Sequence, residues 1–336
     1  MKTFANANAR DMQHAVALAE EAHRDGRETS FAGGGSDLLA QVKDGVVAPD
    51  LLVNLKAVPA LDQVVSSAGG VAVGGLITLD ALGRHPEIRS RFTVLAEAAG
   101  TVATPQIRNL GTLAGNVCQR PWCWYYRNGF QCYKAGGSQC FSRAGENQLH
   151  AILGGGPSYI VHPSDTAPAL VALDATFRIV GPEGERTLPA VDFFVLPRQN
   201  PARENVLGNE EVLAGVELPA PPAGLRSTYV KIMDREVWTH AVVSAAVALD
   251  MNQDECRAAR IVLGGVAPVP WRVPEAEQLL VGQRITPVLA RQVGEAALAQ
   301  AQPLSKNAYK VPLTTEVVER AVLALDRKST RLNSSH

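Results

Sequence analysis

Apolar and polar positions along this chain alternate in short bursts whose period switches between helical and two-fold. Met12, Ala15, Val16, Ala19 and Ala22 recur at helical spacing behind Asp11, a good N-cap, and Gly26 stands where such a helix would stop. A strand is predicted next, within "ETSFAGGGSDLL". Further short apolar runs bounded by Gly, Pro or Asp predict strands at 50–55, 70–75, 158–163 and 176–181. Residues 78–100 read as helical in two pieces. From 182 to 222 the chain turns rich in Pro, Glu and Arg, and "LPAPPAGL" reads as a connection between domains, with a boundary near 222. Beyond it, "STYVKIMDR", "AVVSAAVALDM" and "AARIVLGGV" predict successive antiparallel strands, followed by helices in "PEAEQLLVG" and "TPVLARQVGEAALAQA". Strands and helices mix without the regular alternation of a doubly wound sheet, so the class is α+β.

The length of 336 residues allows two or three domains and a full core without staples, so disulfides are not needed to explain the cysteines. A formal net charge of -1 and 19% charged residues exclude a basic nucleic-acid binder and a disordered tail. No apolar stretch reaches the roughly 18 residues of a membrane span, and the N-terminal residues lack a basic start followed by an apolar run. The expectation is a cytoplasmic protein with no membrane span; the alternative is a periplasmic one, co-exported with a signal-bearing partner. The last residues, Asp326 to His336, read as the translation of a common sequencing-library adapter. The natural gene is accordingly expected to be interrupted near Leu325, the plainer alternative being a frayed polar terminus.

Two glycine-rich stretches carry the first candidate chemistry. "FAGGGSDLL" places Gly33, Gly34 and Gly35 after a short apolar strand, with Ser36 and Asp37 following. Consecutive glycines let backbone amides approach a phosphate, and a serine hydroxyl adds a donor. The stretch is not the G-x-G-x-x-G dinucleotide fingerprint. A second small-residue loop, "GTLAGN", brings Gly111, Thr112, Gly115 and Asn116, so that two loops clasp one extended ligand from both sides.

"FAGGGSDLL", "VGGLITLDAL", "TPQIRNLGTLAGN", "HPSDTAPALVALDA" and "YVKIMDR" occur in an order and at distances that resemble the FAD-binding subunits of molybdenum hydroxylases. That family includes xanthine dehydrogenases, carbon monoxide dehydrogenases and aldehyde oxidoreductases. The resemblance implies a two-lobed vanillyl-alcohol-oxidase-like FAD-binding domain over residues 1–222 and a C-terminal α+β domain of the CO dehydrogenase flavoprotein type over 223–325. It further implies that Ala32, Gly33, Gly34, Gly35, Ser36, Asp37 and Leu38 wrap the FAD pyrophosphate, Ser36 standing where the family usually has Thr. Thr112, Leu113, Ala114, Gly115 and Asn116 replace the family's T-I-G-G-N, with Ala114 in a glycine position. Asp165 matches an aspartate that bonds the ribityl or adenosine portion. Lys231 matches a lysine near the flavin ring, where a cation stabilises the anionic reduced flavin. Taken by themselves, Asp165 reads as a cap and Lys231 as a snorkelling surface lysine. No tightly bound NAD is expected.

Four of the five cysteines, Cys118, Cys123, Cys132 and Cys140, crowd the segment "NVCQRPWCWYYRNGFQCYKAGGSQC", and Cys256 stands apart as a lone structural thiol. The gaps between the four match no zinc-finger template, though zinc remains open; four thiolates are the usual complement of an iron–sulfur cluster. The segment, inserted at about 117–150 and followed by "ENQLHAILGGG", resembles a branch of the family that includes 4-hydroxybenzoyl-CoA reductase and the periplasmic aldehyde oxidoreductase. Members of that branch carry a 4Fe-4S cluster beside FAD. The branch's ligands match Cys123, Cys132 and Cys140, and the fourth falls where this chain has Ser158, so Cys118 is the candidate replacement; a serine ligand or a cluster short of one iron are the alternatives. Trp122, Trp124, Tyr125 and Tyr126 are read as loop packing. His150 and His162 have no triad-like neighbours and are assigned no chemistry.

The reading is an electron-transfer subunit of a heterotrimeric molybdenum hydroxylase, most like an aldehyde oxidoreductase or xanthine dehydrogenase, with no catalytic acid or base of its own. The implied partners are a large subunit with the molybdenum cofactor, a small subunit with 2Fe-2S clusters, and an external electron acceptor. The alternatives are a stand-alone flavoenzyme similar to the reductase that makes UDP-N-acetylmuramate, and a non-redox metal-binding scaffold.

Overall fold

The described residues build three sheets, and the order in which they are laid down explains where a ligand can sit. The computed structural model describes residues 2–235 and 240–331, with side chains described as far as Asp326. The first sheet is parallel, with Leu51–Asn54 between Ala5–Asn8 and Thr29–Ala32. Parallel neighbours need a crossover, and helix Met12–Arg24 supplies one. Asp11 caps it by accepting the His14 amide at 2.7 Å, and Met12, Ala15, Val16, Ala19 and Ala22 are all buried.

The second sheet is antiparallel, in the order Val64–Ser67, Gly70–Gly74, Val212–Pro219, Thr176–Gly181, Gly184–Pro189. Its core gathers Phe92, Leu95, Leu170, Phe177 and Phe193. Three sequence expectations change here. Residues 182–222 are no connector: they contribute two strands, and Val212–Pro219 is the centre of the sheet. The prolines and glutamates are spread over the excursion between those strands, the strands' own ends and the residues just outside them. Residues 158–163 are extended but join no sheet, and 78–100 folds as three helices, Leu79–Arg84, Pro86–Arg91 and Thr93–Gly100, because Pro86 and Thr93 each open a new one.

The third sheet runs Trp271–Arg272, Glu255–Gly264, Val243–Asn252, Leu225–Ile232. Strand Val243–Asn252 is apolar on both faces. Ala245, Val247, Leu249 and Met251 point to the core under helices Pro287–Ala297 and Lys310–Arg331, while Ala246 and Ala248 join the core of the second sheet. A continuous apolar run is what a strand buried on both faces requires. Leu325 is the last fully buried residue among those whose side chains are described; the helix continues to Arg331, and 332–336 lie outside the described residues.

Candidate functional site

The first glycine loop leaves strand Thr29–Ala32 and turns into the short helix Leu38–Lys43. Gly34 is pressed so closely on the second loop that a Cβ there would overlap the Leu110 carbonyl, and Gly35 holds a left-handed φ of 74°. A Cβ on Gly33 would come within 2.9 Å of Thr112 Oγ1. The loops therefore meet backbone to backbone. Across the contact, Thr112 caps helix Leu113–Val117, its Oγ1 accepting the Gly115 amide at 3.2 Å.

Between the loops opens a cavity of about 730 Å³, within the usual range for a cofactor site. Residues 33–38 line it from one side and Gly111, Thr112, Ala114, Gly115 and Asn116 from the other. Ala32 closes the strand beneath and Leu113 faces the core. Asp165 lines the cavity too, and its carboxylate is fully engaged from behind: Tyr229 Oη donates to Oδ1 at 2.7 Å and Lys231 Nζ to Oδ2 at 2.6 Å. Lys231, 1% exposed, also donates to the Thr101 carbonyl at 3.0 Å and lies behind Asp165 rather than in the cavity wall. Burial and the adjacent Asp165 charge push the Tyr229 phenol well above its ordinary range, so it stays a donor. Asn116 Oδ1 accepts Ser164 Oγ and Thr166 Oγ1, both at 2.6 Å, tying the second loop to the Asp165 segment.

Asp37 lines the cavity, but its carboxylate is tied into the protein. Its carboxylate accepts Arg127 Nη2 at 2.8 Å, Gln41 Nε2 at 2.8 Å and the Arg120 amide at 3.3 Å. Arg127 and Arg120 belong to the cysteine segment, which thereby docks on the first glycine loop. Farther along it, Lys134 Nζ pairs with Glu204 at 3.0 Å and donates to the Arg203 carbonyl at 2.7 Å. Arg127, Lys134 and Glu204 are buried polar residues that no local pattern announced.

All five cysteines are free thiols. Cys118 ends helix Leu113–Val117 and lines the cavity, where burial pushes its thiol up to about 12. The Cys123 thiol, raised to about 11 chiefly by burial, also feels the charges of Cys140 and Cys132. His150, read as chemically silent from sequence, places Nε2 at 3.3 Å from Cys123 Sγ, and Ser142 Oγ lies 3.1 Å from Cys140 Sγ. Among the described residues no three His, Cys, Asp or Glu side chains converge on a single ion position. A four-iron cubane makes no such demand, since each ligand takes its own corner.

A cavity clasped by two glycine loops suits an extended cofactor, and the family matches specify a flavin. Residues 2–221 match the FAD binding domain in molybdopterin dehydrogenase, and 228–325 match the CO dehydrogenase flavoprotein C-terminal domain. The chain belongs to the FAD-binding medium subunits of the molybdenum hydroxylases. It is 34% identical to the aldehyde oxidoreductase FAD-binding subunit PaoB of Escherichia coli (strain K12), over 84% of this chain and 87% of that one. Identity to the carbon monoxide dehydrogenase medium chain of Hydrogenophaga pseudoflava is 26%, over 89% and 90%. A solved carbon monoxide dehydrogenase from the same organism shares the fold with a TM-score of 0.75 at 25% identity, covering 96% of each chain. Among the described residues no helix is long and apolar enough to cross a membrane.

Proposed function

We propose that this chain is the flavin and iron–sulfur subunit of an aldehyde-oxidising molybdenum hydroxylase. The observation that carries the reading is convergence: Cys118, Gln119, Arg120 and Trp122 line the same cavity as both glycine loops. The similarity to an aldehyde oxidoreductase FAD-binding subunit favours aldehydes as the substrate class and a multi-subunit assembly as the setting. The partners are a molybdenum-bearing large subunit and a 2Fe-2S small subunit, and the electrons leave to an external acceptor.

When bound, FAD supplies a redox centre between the partner's iron–sulfur centres and that acceptor. This chain's residues hold it. The backbone amides of residues 33–36 would hold the pyrophosphate, whereas in the second loop the amides of Gly111, Leu113, Ala114, Gly115 and Asn116 donate to Ile107, Ile77, Gly75 and Thr112 and keep that loop in shape against it. Asp165, fixed by Tyr229 and Lys231, presents a carboxylate to the hydroxyls of the ribityl chain. Asp37 shapes the first loop by binding Arg127 and need not touch the cofactor.

Cys123, Cys132 and Cys140 hold a 4Fe-4S cluster. Cys118 lines the flavin cavity, and Ser158 is buried in the segment whose next residue, Tyr159, accepts the Ala151 amide at 2.9 Å. Because Cys118 faces the flavin side, Ser158, at the position of the resembled branch's fourth ligand, is our choice for the fourth corner, with Cys118 the alternative. Anaerobically purified protein should show flavin bands, a broad brown shoulder and about four irons per flavin. Cys118→Ala should retain the iron, and Ser158→Cys should make the cluster more resistant to air. Flavin without iron would leave a plain flavoprotein subunit; iron lost in Cys118→Ala would return the fourth corner to Cys118.

A further inference from the structure

Trp122 sits at the edge of the flavin cavity with no role in the clasp. It belongs to the cysteine segment, yet it lines the same cavity as Gly34 and Asp165. Its side chain is 45% exposed, a large aromatic surface left open next to well-buried neighbours. Indoles of that kind usually bury most of their area, and an open one facing a cavity is a candidate contact.

The ring is held from one side. The Arg127 guanidinium lies over it at 4.2 Å from the ring centroid, a cation–π contact. That guanidinium is itself immobile: Nε donates to the Pro121 carbonyl at 2.9 Å, and Nη2 donates to the Arg120 carbonyl at 3.0 Å and to Asp37 at 2.8 Å. The His240 ring, which also lines the cavity, lies 5.3 Å from the indole with a tilt of 35°. Arg127 covers the ring and His240 tilts against it, and the indole surface that stays open lines the cavity.

We propose that Trp122 stacks on the isoalloxazine ring of FAD, with Arg127 as the positioning residue that holds the indole. The proposal rests on FAD occupying this cavity. An electron-rich indole against an electron-poor tricyclic ring is a favourable offset stack, and Trp presents it with only two side-chain torsions to freeze. The assignment to the isoalloxazine rests on company: Trp122 and His240 line the cavity together with Asp165, whose carboxylate the proposed function gives to the ribityl chain next to that ring.

The test compares Trp122→Phe, Trp122→Leu and Trp122→Ala in the assembled enzyme, stripped of flavin and titrated separately with FAD, riboflavin and ADP. Leu keeps the apolar bulk without a stacking ring, and Phe keeps a ring. Bound-FAD fluorescence should be strongly quenched in the wild type and several-fold brighter in Leu and Ala. FAD and riboflavin should bind about tenfold more weakly to both, Phe should recover most of the affinity, and ADP should bind all four proteins alike. Wild-type FAD affinity and quenching in Trp122→Leu would overturn the proposal. So would an ADP affinity that falls while riboflavin binding holds, which would put the adenine on the indole. If no variant and no wild-type protein binds FAD, the cavity assignment itself fails, and with it the proposal.

Discussion

The glycine clasp and the cysteine segment face the same cavity and are built by opposite means. The clasp is a backbone structure, in which two loops touch because Gly33 and Gly34 have no side chains to hold them apart. The cysteine segment is held by buried charged side chains: Arg127 on Asp37, Lys134 on Glu204, Arg120 on Glu204. The first construction is broken by adding atoms and tolerates no adjustment. The second is broken by removing a charge, which strands its partner in a poorly solvated place.

Gly34→Ala should produce the largest effect. The new methyl would overlap the Leu110 carbonyl, which is backbone and cannot swing away, so the loops must separate. Flavin content should fall to near zero, with a stability loss of about 4 kcal/mol. Gly100→Ala is the matched control: nothing lies within 4 Å of its would-be Cβ, and it ends helix Thr93–Gly100. It should be neutral or stabilising by about 0.5 kcal/mol. Similar flavin-to-protein ratios in the two variants would refute a backbone-built clasp.

Lys231→Met tests the other principle next to the cofactor. The substitution leaves Asp165 buried with Tyr229 as its side-chain donor among the described residues, at a cost of about 3 kcal/mol. Asp165→Asn combined with Lys231→Met should recover part of that loss, because the charge that was stranded is gone. Urea midpoints of the single and double variants measure it, and a double variant no better than the single would show that the pair acts through something other than charge.

Arg127→Met should cost less, about 1–2 kcal/mol, and should also weaken FAD binding although Arg127 does not line the cavity. Asp37→Asn should do the same, and the two together should be far from additive, since each removes the same contact. Additive losses would mean that the cysteine segment and the glycine loop are independent. Non-additivity gives the enzyme a link between flavin occupancy and the order of the neighbouring cysteine loop.

What could be read from sequence follows the same division. Backbone features have local signatures: the helix behind Asp11, the strands at 51–54, 70–74 and 176–181 and both glycine loops were all visible as period or composition. Strand Val212–Pro219 was hidden because it pairs with segments distant in sequence and sits in a Pro- and Glu-rich stretch. The charged links were invisible for a stronger reason. Arg127 and Asp37 are 90 residues apart, Lys231 and Asp165 are 66 apart, and no local pattern encodes a partner at such distances. The aromatic and cysteine content pointed to the segment's chemistry; only the fold tells that Cys118 turns to the flavin side and that His150 touches Cys123.

The smallest expected effect concerns pH and the hinge between the clasp and the Asp165 segment. His162 is buried, its ring donates to the Val117 carbonyl at the end of the second glycine loop, and its Nδ1 accepts the Ser164 amide at 3.4 Å. Burial pushes its pKa down to about 3, from 6.5 for an exposed histidine. Well above pH 6.5 neither folded nor unfolded chain protonates it, and it contributes no slope. As pH falls below 6.5 the unfolded chain takes up a proton that the folded one refuses, so stability drops progressively until about pH 3. His162→Gln keeps a donor and an acceptor but cannot titrate. Its urea midpoint should therefore decline less steeply than the wild type's between pH 6.5 and 4.5, without becoming flat, because the His150 pKa is lowered by burial as well. Parallel declines in the two proteins would show that His162 is not a source of the acid sensitivity.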